Sequence, residues 1–200
     1  MRRIITTIAP AFFVAGLLSA CAAPPPVPED AFYRLSPRAD SPVAPQPLLE
    51  GAVEVGRFAA AGSLGNRPLL FSKPGSNAVS EYHYHFWIEA PPMLLQSALV
   101  SYLRSAGVAE QVVTPDMRVR PDYTVQGRLM RLETITGPTP SGVAEFELSL
   151  RRERDGKLLV LGEYRADVPS GANGVGTDAA AIEKAVDKAF AAFVADIASK

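Results

Sequence analysis

Cysteine is nearly missing from this chain. Cys21 is the only one in 200 residues, so no disulfide can close within it. Histidine is almost as scarce, with His83 and His85 the only two. Any metal site must therefore be completed by carboxylates rather than by further thiolates or imidazoles. A Gly-x-Ser-x-Gly elbow is absent, and no pair of carboxylates stands apart from an ordinary solvated surface. Basic excess is lacking too: 20 Lys and Arg face 21 Asp and Glu, with no basic block anywhere, which excludes nucleic acid as a partner. After the first 20 residues there is no long apolar run, so no second segment offers to span a bilayer.

The first 20 residues carry the address. Two arginines precede an apolar stretch from Ile4 to Leu18, interrupted only by Thr6, Thr7, Pro10 and Gly16, and small residues lead to Cys21. That pattern reads as a secretory signal and is too short for a membrane anchor, which needs about 20 apolar residues. Leu18-Ser19-Ala20-Cys21 resembles the bacterial lipobox, so residues 1–20 are expected to be removed and Cys21 acylated. Each buried methylene adds about 0.8 kcal/mol, and several acyl chains hold a protein on its membrane where one does not. Without Arg2 and Arg3 the basic residues fall to 18 against 21 acidic ones. Ala22 stands where inner-membrane lipoproteins of the enteric type carry Asp, which points to the inner leaflet of the outer membrane.

Residues 21–31, CAAPPPVPEDA, are small and Pro-rich and read as a tether. Fully extended, 11 residues reach at most about 35 to 40 Å. Residues 32–200 then read as one domain. FYRL (32–35), GAVEVGRF (51–58), RPLLFSK (67–73) and NAVSEYHYHFW (77–87) are strand candidates, the last two joined by a Pro74-Gly75 turn. Strict alternation along the fourth puts Glu81, His83, His85 and Trp87 on one face and Tyr82, Tyr84 and Phe86 on the other.

At Pro91 the period changes. Leu94, Leu95, Ala98, Leu99, Tyr102 and Leu103 recur at helical spacing, Pro91 and Pro92 suit a first turn, and Gly107 suits a C-terminal stop. A helix is predicted over 91–106. Alternation from Tyr123, and again over Ala144–Leu150, with a turn at Asp155-Gly156, predicts a three-stranded antiparallel meander. The stripe Ile182, Ala185, Val186, Ala189, Phe190, Phe193, Val194 and Ile197 predicts a long closing helix, with Thr177 as its N-cap and a Gly-rich loop, 169–176, before it. The class is α/β (α+β): a mixed or antiparallel sheet with two main helices.

The segment RPLLFSKPGSNAVSEYHYHFWIEAPPMLLQSALVSYLRSAGV, together with the preceding FYRL and the lipobox, resembles the ABC-type transport auxiliary lipoprotein family. Tyr82, Trp87, Pro91, Pro92, Leu95, Leu99 and Leu103 carry its strand-to-helix passage. Such lipoproteins are often encoded with MCE-domain proteins and an ABC transporter, and the family includes the lipoprotein of the paraquat-inducible intermembrane transport system. The resemblance implies a fold like the amino-terminal domain of the Tol-system propeller protein. It also implies a non-enzymatic accessory of phospholipid or lipophile transport that needs no cofactor, has MCE and ABC-transporter partners, and is compatible with a homo-oligomer. Contacts with partner or lipid are expected at Tyr82, Tyr84, Trp87 and Asn173, besides the lipid on Cys21. Two alternatives stay open: a metal-dependent periplasmic enzyme using Glu81, His83 and His85, and a structural lipoprotein of another envelope assembly.

Overall fold

A computed structural model describes residues 27–40, 42–171 and 174–200. The strands are β1 (Ala31–Tyr33), β2 (Leu49–Val55), β3 (Pro68–Ser72), β4 (Val79–Trp87), β5 (Ala109–Val113), β6 (Tyr123–Ile135), β7 (Ser141–Arg152) and β8 (Leu158–Pro169). The helices are α1 (Pro91–Ser105) and α2 (Val175–Ala198). All eight strands among the described residues join one mixed, curled sheet, as expected of the class.

The long β6 organises it. One edge pairs antiparallel with β7, which pairs antiparallel with β8, giving the expected meander. Along the other edge β6 takes three parallel partners in succession: β2 at 123–125, a bridge from Ala59 at Arg128, and β3 at 133–135. Beyond β2 lies β5, and beyond β3 lie β4 and then β1. β1 includes Ala31, opposite His85, one residue before the expected start of the domain.

Each helix follows from local chemistry. α1 opens with Pro91 and Pro92 in its first turn, where a missing N–H costs no helical hydrogen bond. It ends in a Schellman motif: Gly107 is left-handed (φ +65°), its N–H reaches Arg104 O at 3.1 Å, and Val108 N–H reaches Leu103 O at 3.1 Å. α2 starts two residues before Thr177, a correction to the predicted cap. Gly174 takes the N-cap position, while Thr177 sits within the first turn and its hydroxyl donates back to Gly174 O at 2.7 Å. Val175 packs against the core, which favours the earlier start.

The core forms where these helices cover the sheet. The α2 stripe predicted from sequence is buried throughout, against Phe146, Leu148 and Leu150 of β7. Phe58, Phe146, Phe190 and Tyr102 form a chain of ring contacts, each with centroids 5.5 to 5.8 Å apart, that joins the sheet to α2 and α2 to α1. A strap, residues 35–40, crosses this end of the molecule with Leu35 and Pro37 buried. Its Ala39 N–H donates to Ser105 Oγ of α1 (3.0 Å), while the amides of Ser36 and Arg38 face Glu183 and Asp187 of α2.

Candidate interaction surface

Free strand edges are where a small sheet meets partners, and two of the edges here are defended. β8 turns Glu163, Arg165 and Asp167 outward, with Arg165 paired to Glu145 (3.2 Å) and Asp167 (3.0 Å). At β5, Arg104 reaches over from α1 and donates to Val112 O through Nε (3.0 Å) and Nη2 (2.6 Å). The remaining edge is β4 with its short cover β1, which pairs only with 85–87. Val79, Ser80, Glu81, His83 and Tyr84 are exposed there.

β4 is not a regular strand. Leu70 pairs with Glu81 and Pro68 with Phe86, so two steps along β3 face five along β4. That irregularity overturns strict alternation. His85 packs edge-on against Tyr82, with ring centroids 5.7 Å apart, although alternation would place them on opposite faces. Its Nδ1 is hydrogen-bonded to Tyr33 Oη at 2.8 Å, while His83 is exposed beside Tyr84. Nor do the three groups of the metal alternative come together: among the described residues no cluster of three or more His, Cys, Asp or Glu side chains could hold a metal ion.

The other expected contact residues separate by burial. Tyr84 is exposed and Tyr82 half-buried. Trp87 is 1% exposed and belongs to the core, so as a contact residue it is corrected: its ring offers no surface. Cys21 and Asn173 lie outside the described residues. Beneath the strand, Asp178 in the first turn of α2 is buried and accepts from Ser170 Oγ at 2.6 Å. Burial, and secondly the Asp178 charge, push the Tyr82 and Tyr33 hydroxyls above the usual phenol range.

Sequence reasoning passed over Phe32 and Arg67. Phe32 is 53% exposed, stacks on Phe86 (5.8 Å) and lies under the Arg67 guanidinium (5.3 Å to the ring centroid). Phe32 and Tyr84 thus leave exposed aromatic surface on the β1–β4 edge, beside Val79. The FYRL string signals the aromatic, but nothing local signals Arg67, which is 35 positions away in sequence.

The comparisons decide the family. Residues 33–198 match the family model for the ABC-type transport auxiliary lipoprotein component. The chain belongs to that family. No curated protein matches it. Among solved structures it is similar to protein XCC0632 from Xanthomonas campestris, of family DUF330, at 19% identity and TM-score 0.71, covering 82% of this chain and 92% of that one. It is also similar to a protein described only as uncharacterized, at 15% identity and TM-score 0.62, covering 86% and 98%. At such identities both likenesses speak for the fold. No helix among the described residues is long and apolar enough to cross a membrane.

Proposed function

We propose that this lipoprotein is a non-enzymatic accessory of an ABC/MCE-type system that carries phospholipids or other lipophiles between membranes. The family match across 33–198 carries the reading. In it, residues 1–20 are the signal, Cys21 bears the lipid, 21–31 form the tether and the rest is the docking domain. The domain faces the periplasm from the inner leaflet of the outer membrane. A tether that reaches about 40 Å at most cannot cross to the inner membrane, so the partner must come to it. An MCE protein extending from the inner membrane meets that requirement. Several tethered copies, joined or clustered, would raise the effective concentration for a multimeric visitor. The exposed β1–β4 edge, with Tyr84 and Phe32, is the surface we assign to the contact, with Asn173, which precedes α2 in sequence and lies outside the described residues, as a second position.

Photo-crosslinking in living cells tests this. A crosslinker at Tyr84 or Asn173 is expected to capture an MCE-domain protein or a second copy of this chain, while one at Trp87 captures neither because that position is enclosed. No capture at any exposed position of the edge, with the partner expressed and the domain folded, removes the docking role.

A further inference from the structure

A cavity of about 570 Å³ lies between the strap and α1. We propose that it binds a phosphate group, either free or as the headgroup of a phospholipid. Its polar wall consists of Ser36 and Arg38 from the strap and Ser97, Ser101, Arg104 and Ser105 from α1. No acidic residue lines it. Two guanidinium-bearing residues beside hydroxyl donors make up the donor set that recognises phosphate oxygens, and a carboxylate in the wall would have repelled them.

Several groups are already held in place. Ser105 Oγ accepts from Ala39 N–H and donates to Tyr102 O at 2.9 Å, which fixes the strap against the helix. Arg104 spends Nε and one proton of Nη2 on Val112 O, so its planar fork is fixed while Nη1 keeps both protons. Among the described residues, Arg38 forms no ion pair, and the hydroxyls of Ser36, Ser97 and Ser101 make no hydrogen bond to protein. Ser36, Arg38, Ser97, Ser101 and Arg104 are solvent-exposed, so an anion would take the place of water on donors that no protein group occupies.

The volume exceeds what a phosphate ion fills and falls in the range of small-molecule pockets, about 300 to 1,000 Å³. Leu35, Pro37 and Ala98 supply an apolar side. A phosphodiester with a glycerol and the start of acyl chains therefore matches the cavity in chemistry and size. This lipid source rests on the transport reading; phosphate recognition does not.

The test uses the mature protein in a phosphate-free maltoside detergent, titrated with inorganic phosphate, dihexanoyl phosphatidylglycerol, or dihexanoylglycerol, which lacks the phosphate. Amide shifts at Ser36, Arg38, Ser97 and Ser101 report occupancy. Saturable shifts with a phosphate-bearing probe, weakened about tenfold or more by Arg38→Ala and by Ser101→Glu at unchanged melting temperature, are expected. Tighter binding of the phosphatidylglycerol, competed by phosphate, assigns the lipid source; equal binding of the two assigns the free ion. The proposal is overturned if neither probe binds, if dihexanoylglycerol binds as well, or if the two variants bind like the parent. Such a failure alongside intact crosslinking at Tyr84 removes the groove and leaves the transport reading standing.

Discussion

Gly142 of β7 lies directly beneath Ile182 of α2, so close that a Cβ built on it would stand 2.3 Å from Ile182 N and 2.5 Å from Ala181 C. The obstacle is helix backbone, which cannot swing aside as a side-chain tip would. Gly142→Ala must lift α2 from the meander, and overpacking of a dense core typically costs about 1 to 3 kcal/mol. Urea denaturation should show a loss of at least about 2 kcal/mol. A loss within about 0.5 kcal/mol would show that the helix sits further from the sheet than described.

Trp87 and Tyr84, three positions apart on β4, should respond oppositely to truncation. Trp87 is enclosed beside α1, and Trp87→Ala is expected to cost about 3 to 5 kcal/mol through the cavity it leaves. Tyr84→Ala, at an exposed site, should change stability by about 0.5 kcal/mol or less while reducing partner capture. Equal thermal shifts for the two would contradict the burial contrast.

Much of this fold was legible because its signals are local. Pro91, Pro92 and Gly107 bracket α1, the Ile182–Ile197 stripe defines the buried face of α2, and alternation through Ala144–Leu150 defines β7. What escaped depends on distant partners. The irregularity in β4 is set by its register against Pro68 and Leu70, and nothing in EYHYHFW itself announces it. β5 has only five residues and no alternation, and is a strand because the Schellman turn at Gly107 returns the chain to β2. The groove was likewise invisible, since Arg38 and Arg104 line one cavity only after the strap folds over α1. Of the expected contact residues, the strand that carries Tyr82 and Tyr84 was readable, whereas the packing of Tyr82 against His85 and the burial of Trp87 required the fold.

Cys21→Ser tests the anchor. It removes the thiol that the lipobox reading assigns to acylation, and no helix among the described residues replaces it as a membrane grip. The variant should leave the membrane fraction, with fractionation at high salt discriminating lipid insertion from charge attraction. A variant that still sediments with outer membranes at high salt points to a different attachment.

Glu183 and Asp187 sit one turn apart on α2, half-buried under the strap, and should make stability fall as pH rises. Both carboxyls are pushed above their ordinary range, first by burial; the Asp187 charge adds to the effect on Glu183, and the Asp40 charge to that on Asp187. The amides of Ser36 and Arg38 oppose the shift without cancelling it. Oδ1 of Asp187 is buried without a hydrogen-bond partner among the described residues, consistent with a poorly solvated carboxylate. Tyr102 faces the same group, and its hydroxyl is raised by burial and by the Asp187 and Asp40 charges. Because the folded chain holds these two protons more tightly than the unfolded chain, it binds more protons between the ordinary carboxylate pKa, about 4, and the raised folded values. The destabilising contribution is thus relieved at low pH, grows across that window and is complete above it. Asp187→Asn keeps the shape and a carbonyl able to accept from the Arg38 amide while removing the charge. It should raise the melting temperature at pH 7, by the equivalent of about 1 kcal/mol or less given partial solvent screening, and lose that advantage below about pH 4. A variant less stable than the parent at pH 7 would mean that the carboxylate's grip on the strap outweighs the repulsion around it.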